Sequence, residues 1–171
     1  MTCNQHQQIG ELFLPIVRDV AEYKKWMKWH DGIKKELKKL ISEDAELDKT
    51  HHLGKKMSWG RLDNYRPDLA WKKNNKLSLF EVEYYYNQDK IVRDIMYARL
   101  LDAEQMVFIF SDKRTNWGDG KKRVEATHYL TQMLFRHVKP LHLKAISIGQ
   151  PEELEEKLKQ LRILQSPQNL P

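Results

Sequence analysis

The run Gln105-Met106-Val107-Phe108-Ile109-Phe110-Ser111 is almost entirely apolar and does not alternate. A strand with one wet face alternates in polarity, so this pattern predicts a strand buried on both faces. Such a strand needs a cover on each side of its sheet. The residues just before it supply one. Ile91, Ile95, Ala98 and Leu101 recur at helical period, with Met96 and Leu100 alongside, and predict a helix over 90–104. A helix that feeds a doubly buried strand is a crossover, and a crossover joins parallel strands.

Further upstream the pairing is of the other kind. A strand is predicted over 76–86 and another over 66–71, joined by the polar, asparagine-rich link Lys72-Lys73-Asn74-Asn75. That composition is a hairpin turn, so these two strands are antiparallel. A short strand over 57–62 precedes them. Parallel pairing on one side and antiparallel on the other predict an α/β fold with a mixed sheet flanked by helices.

The first helical pattern covers 9–41. Trp26, Trp29, Ile33, Leu37, Leu40 and Ile41 form its apolar stripe, and Lys24, Lys25, Lys28, Lys34, Lys35, Lys38 and Lys39 flank it. Pro15 and Gly32 are places where it can kink or divide. Residues 42–50 read as a polar connection. After the apolar strand come a helix over 121–137, a strand over 141–148 and a helix over 152–164, with Pro151 placed at its start. The expected order is helix, three strands, helix, strand, helix, strand, helix. No repeat or linker divides the 171 residues, so one domain over 1–171 is expected, with frayed ends at 1–8 and 165–171.

Charge and cysteine usage narrow the function class. Lys and Arg number 30 against 24 Asp and Glu, a formal net charge of +6. That moderate basic balance favours polyanionic partners. The single cysteine, Cys3, excludes an internal disulfide framework and cysteine-cluster zinc sites. No apolar run approaches the roughly 18 residues that span a bilayer, and the first eight residues carry no apolar block. A cytoplasmic setting without a membrane partner is expected. The adjacent pair His51-His52 points to two different sides and reads as a surface turn. The loop over 113–123 gathers charge around Gly118 and Gly120. It suits DNA contact, with Trp117 placed to stack on or wedge between bases, and it suits an exposed basic turn equally well.

The chemistry-bearing segment is Arg66-Pro67-Asp68-Leu69-Ala70-Trp71, the turn, then Leu79-Phe80-Glu81-Val82-Glu83. Glu81 and Glu83 lie two apart on a strand and share a face, while Phe80 and Val82 take the core side. Asp68 lies one hairpin away, so three carboxylates can converge. Clustered carboxylates suit a hard cation such as Mg²⁺, which binds oxygen ligands and activates water. The structural alternative is a solvated strand face with Asp68 nearby by chance.

Pro67-Asp68, followed after a hairpin by Glu81-Val82-Glu83, resembles the PD-(D/E)XK nuclease superfamily, which includes type II restriction enzymes, Holliday-junction resolvases and repair nucleases. The resemblance implies a restriction-endonuclease-like core of helix, three strands, helix and strand over roughly 20–111, with the C-terminal helix–strand–helix as an addition. It implies a nuclease that hydrolyses phosphodiester bonds in DNA with Mg²⁺ or Mn²⁺. By the motif, Asp68 and Glu81 are metal ligands. The third position, usually lysine, is Glu83 here. Some restriction enzymes carry a glutamate there, where it binds metal or helps deprotonate the attacking water. A lysine can reach such a site from Lys72, on the hairpin strand, or from Lys90, at the start of the following helix. Many members add a glutamate from the first helix; Glu36 is the candidate, Glu22 the runner-up. Lys90, Arg93 and Arg66 can contact phosphate beside the site, and ordinary solvation accounts for them equally well. Members that cut both strands commonly act as dimers, so a homodimer or larger complex is an expected partner. The departure at Glu83 keeps a second reading open: a non-catalytic module with the same fold that binds DNA or joins a larger complex.

Overall fold

The apolar run forms a strand over Gln105–Ser111, and every residue after Gln105 in it is buried. It belongs to a computed structural model in which residues 20–42, 45–52, 64–113, 118–134 and 141–163 are described. In chain order these form α1 (Val20–Ile41), β1 (Glu46–Leu47), β2 (His51–His52), β3 (Asn64–Tyr65), β4 (Leu69–Lys73), β5 (Lys76–Glu83), α2 (Gln88–Leu100), β6 (Gln105–Ser111), α3 (Gly120–Leu134), β7 (His142–Ile148), a 3-10 turn at Pro151–Glu153, and α4 (Leu154–Gln160). The expected strand over 57–62, Pro15, Trp117 and both expected frayed ends lie outside the described residues.

Five strands form one mixed sheet in the order β1-β4-β5-β6-β7. β4 runs antiparallel to β1 and β5, and β6 and β7 run parallel to β5. β2 and β3 form a separate antiparallel ribbon. His51 therefore sits in a strand opposite Tyr65, not in the expected turn. The polar connection over 42–50 likewise contributes a strand, β1.

Lys73 pairs with Lys76, which leaves Asn74 and Asn75 as a two-residue turn with φ of 51° and 62°. Left-handed φ at both positions matches the right-handed twist of a hairpin, and asparagine tolerates it better than most residues. The ladder thus runs up to the turn itself, and β4 reaches two residues past the expected end at Trp71. It also starts later than expected, at Leu69, because Pro67 has no amide hydrogen to give and the chain bends at Asp68.

Both sheet faces are covered. Phe80, Val82, Val107, Ile109, Ile146 and Ile148 pack with Ile33 and Leu37 of α1 and Leu154 and Leu158 of α4. On the other face Leu79, Met106, Phe108, Phe110 and Ala145 pack with Ile91 and Ile95 of α2 and with Val124 and Leu130 of α3. Fully burying side chains of this size contributes about 1.5–3 kcal/mol each. α1 passes through Gly32 unbroken; a Cβ there would stand 3.3 Å from Pro151 Cγ, so the glycine admits a close neighbour and does not mark a kink.

α2 is capped by Asn87, whose side chain accepts from the Lys90 amide at 3.0 Å. It ends four residues before the expected 104. Ala103 N donates to Ala98 O at 2.9 Å and Asp102 N to Arg99 O at 3.0 Å, with Asp102 at φ 52°. This closes the helix with a left-handed residue that is not glycine. Arg123 of α3, 1% exposed, ties the ends of the central strands together. Its guanidinium donates to the carbonyls of Tyr84 (2.7 Å), Ser111 (2.9 Å), Lys113 (2.6 Å) and Gly118 (3.2 Å).

Candidate functional site

Strand alternation puts Glu81 and Glu83 on the face of β5 that α2 covers, opposite to Phe80 and Val82. α2 brings Lys90 and Asp94, one turn apart, to the same place. Lys90 Nζ lies 3.2 Å from Glu81 Oε2 and 3.6 Å from Asp94 Oδ2, and it donates to Glu83 Oε1. One carboxylate oxygen from each of Glu81, Glu83 and Asp94 lies within 4.8 Å of the other two. All three acids are buried. Tyr65 Oη donates to Glu81 Oε1 at 2.5 Å, and its ring stacks on Tyr97 with centroids 4.8 Å apart.

Three carboxylates thus share one ammonium. Burial pushes Glu83 up to about 7 against the pull of Lys90. It pushes Glu81 well above the usual carboxylate range and raises Asp94 as well. Burial works against the charge on Lys90, but Glu81, Glu83 and Asp94 outweigh it and hold its proton more firmly than in water. Tyr65, raised by burial and by Glu81, stays a neutral donor.

Asp68 occupies a different electrostatic setting. β5 runs on past the start of β4, and there the Val82 amide donates to Asp68 Oδ2 at 2.8 Å. Asp68 Oδ1 faces two cationic groups from α1: Lys34 Nζ at 3.2 Å and His30 Nε2 at 3.3 Å. Lys34 also reaches Asp48 at 2.5 Å. Burial raises the Asp68 carboxyl, but His30, the Val82 amide and Lys34 outweigh it and hold it down to about 2. Burial lowers His30, and Asp68 more than reverses that.

A cleft of about 350 Å³ opens over these groups, lined by Asp68, Glu81, Lys90 and Asp94 together with Tyr65 and Tyr97. Arg66 and Arg93 stand at it with side chains 63% and 54% exposed. Of the residues expected from the sequence, Asp68, Glu81 and Lys90 meet in this cleft, and Glu83 sits against Lys90. The carboxylate within shared-ligand reach of Glu81 and Glu83 is Asp94, while Asp68 has its oxygens on His30, Lys34 and the Val82 amide. Glu36 is not brought in: it pairs with Lys39 at 3.3 Å on the outer side of α1. Glu22 pairs with Lys113. Lys72 is exposed on β4 and does not line the cleft.

Asp94, Tyr65, His30 and Lys34 were not anticipated. A sequence signal exists for Asp94: it lies four residues after Lys90, inside the apolar stripe of Ile91, Ile95 and Ala98. His30 and Lys34 likewise border the apolar stripe of α1. Tyr65 lies in a two-residue strand that leaves no periodicity to read.

The donor set is oxygen only, which suits a hard cation. Asp94 Oδ2 is buried and accepts no hydrogen bond. Lys90 meets all three carboxylates and Arg93 Nε lies 3.7 Å from Asp94 Oδ1, so three carboxylates have two cationic partners and the oxygen set is one that a divalent cation fits. Among known proteins, no protein-family model, curated protein or solved structure matches this chain.

Proposed function

We propose that the chain is a metal-dependent nuclease with a restriction-endonuclease-like core, hydrolysing phosphodiester bonds in DNA. The observation that carries this reading is the buried trio Glu81, Glu83 and Asp94 around Lys90, with Asp68 across the same cleft. The order of elements supports it: α1, then β1, β4 and β5 side by side, then α2 and β6. α3, β7 and α4 are the C-terminal addition.

Glu81, Glu83 and Asp94 would hold Mg²⁺ or Mn²⁺, with Asp68 as the fourth carboxylate of the cleft. Bound there, such a cation activates water and stabilises the charge that builds on a phosphodiester. The protein's own residues do the rest. Tyr65 fixes Glu81 in place. Lys90 orients Glu83 and Glu81 together. Glu83, held by Lys90, would complete the oxygen set and help orient the attacking water. Arg66 and Arg93 offer guanidinium forks to phosphate oxygens at the mouth.

The ammonium of Lys90 among the carboxylates favours a second reading: a non-catalytic module that has neutralised its own site and binds DNA or joins a larger complex. No helix among the described residues is long and apolar enough to cross a membrane. DNA, a homodimer and a cytoplasmic setting are part of the proposal.

The test is cleavage of supercoiled plasmid and labelled single-stranded and branched DNA with Mg²⁺ or Mn²⁺. Glu81→Gln and Asp68→Asn, each shown to be folded, should lose about 100-fold or more in rate. No cutting by the wild type on any substrate moves the weight to the non-catalytic reading. Equal cutting by both variants removes the site assignment.

A further inference from the structure

The sheet ends on β7, which is seven residues long, holds no proline and pairs in register with β6 along its whole length. The parallel ladder fixes which of its backbone groups are used. The His142 amide donates to Glu104 O and the Asp112 amide to Ile148 O, both at 3.0 Å. Residues 142, 144, 146 and 148 therefore turn their amides and carbonyls to β6, and Leu143, Ala145 and Ser147 turn theirs away from it. These outward groups take no hydrogen bond among the described residues, although Ala145 is only 5% exposed. Backbone groups in such a place are normally paired. Proteins also shorten, bend or cover an edge of this kind, and the opposite edge strand, β1, is two residues long.

α4 packs on one face of the sheet and α3 on the other. A cavity of about 220 Å³ opens between them, with Ala145, Ile146 and Ser147 along its floor. Its walls carry Lys121 and Val124 from the α3 side and Lys157 and Leu161 from the α4 side, and no acidic side chain lines it. Lys121 and Lys157 form no ion pair with any described residue. Lys144, in the strand itself, is turned onto Leu161 O at 2.6 Å.

We propose that β7 is a docking edge for an extended acidic segment of a partner protein, which joins the sheet as a further strand. The inference goes beyond the nuclease reading and does not depend on it. Amides and carbonyls that alternate along an edge are matched by extended backbone. An apolar side chain of the added strand meets Val124 or Leu161, and its carboxylates meet Lys121 and Lys157. A second copy of β7 is the poorer occupant, because it sets Lys121, Lys144 and Lys157 near their own counterparts. A nucleic acid is poorer too, because it has no peptide ladder to offer the outward groups.

The test uses the full chain and fluorescence anisotropy of a labelled heptapeptide of alternating valine and glutamate. The peptide should bind saturably. The same peptide, N-methylated throughout, keeps its charge and loses its donors, and its affinity should fall at least about 10-fold. The double variant Lys121→Glu with Lys157→Glu should weaken the unmodified peptide at least about 5-fold and favour a valine–lysine peptide instead. Bound peptide should slow hydrogen exchange at Leu143, Ala145 and Ser147 and leave Glu46 and Leu47 of β1 unchanged. No saturable binding, equal binding of the methylated peptide, an inert double variant, or tighter binding of an oligothymidylate of equal charge overturns the proposal. Protection of the same three amides by rising protein concentration alone assigns the edge to a second copy and also overturns it.

Discussion

Two buried charged centres lie on either side of the C-terminal end of β5, and they are built to opposite standards. Arg123 is a single cation, and its guanidinium meets four backbone carbonyls at 2.6–3.2 Å. Glu81, Glu83 and Asp94 are three carboxyl groups around Lys90, with Arg93 beside Asp94, and burial drives all three toward protonation. A buried charge met by fixed dipoles stiffens a structure. Buried charges left short of a counter-ion hold free energy that a ligand can release. The first arrangement is architecture, and the second is the one proposed to take a cation.

Substitutions break that contrast at its strong end first. Arg123→Met removes the donor from four carbonyls at once and should cost about 3–5 kcal/mol, read from the denaturant midpoint. A loss under about 1 kcal/mol would mean that the clamp is decorative. Glu83→Gln should act in the opposite direction. Without metal at about pH 8 it relieves a buried charge and should stabilise the protein by about 1–3 kcal/mol. The same group sets a pH dependence. The Glu83 carboxyl is raised from 4.5 to about 7, so its contribution to stability is present below 4.5 and is lost as the pH rises through about 7. The metal-free melting temperature should fall across that window, Glu83→Gln should flatten the fall, and added Mn²⁺ should reverse it. Asp68 slopes the other way. Lowered to about 2, it contributes above 3.8 and is lost as the pH drops through about 2. At the weak end, Glu36→Ala breaks only the surface pair with Lys39 and should change stability by no more than about 0.5 kcal/mol, with Mn²⁺ binding unaltered.

The same contrast separates what the sequence discloses from what it hides. β6 was legible to both its ends because burial on two faces erases alternation. The shared face of Glu81 and Glu83 followed from strand period, and the hairpin from its two asparagines. The boundaries at Asp102 and Arg162 were not legible, since both close helices in the left-handed region without glycine. Glu36 lies away from the cleft, paired with Lys39. It has the right spacing beside the apolar stripe, but the side of α1 that meets Asp68 carries His30 and Lys34. Asp94 was overlooked because a charged residue on a helix reads as solvated until the neighbouring strand supplies two more carboxylates. Convergence of that kind is a property of the tertiary fold and has no local signature.

Asp68 carries one more lesson. Its carboxylate stands in for a missing rung of the ladder, taking the Val82 amide just before β4 begins. The residue therefore has an architectural task that is independent of any chemistry in the cleft. In a lineage that abandoned catalysis, Glu83 or Asp94 could drift while Asp68 stayed, held by the strand it props. Among descendants of such a chain, a surviving aspartate at this position would testify to the hairpin, and only the company it keeps would testify to the enzyme.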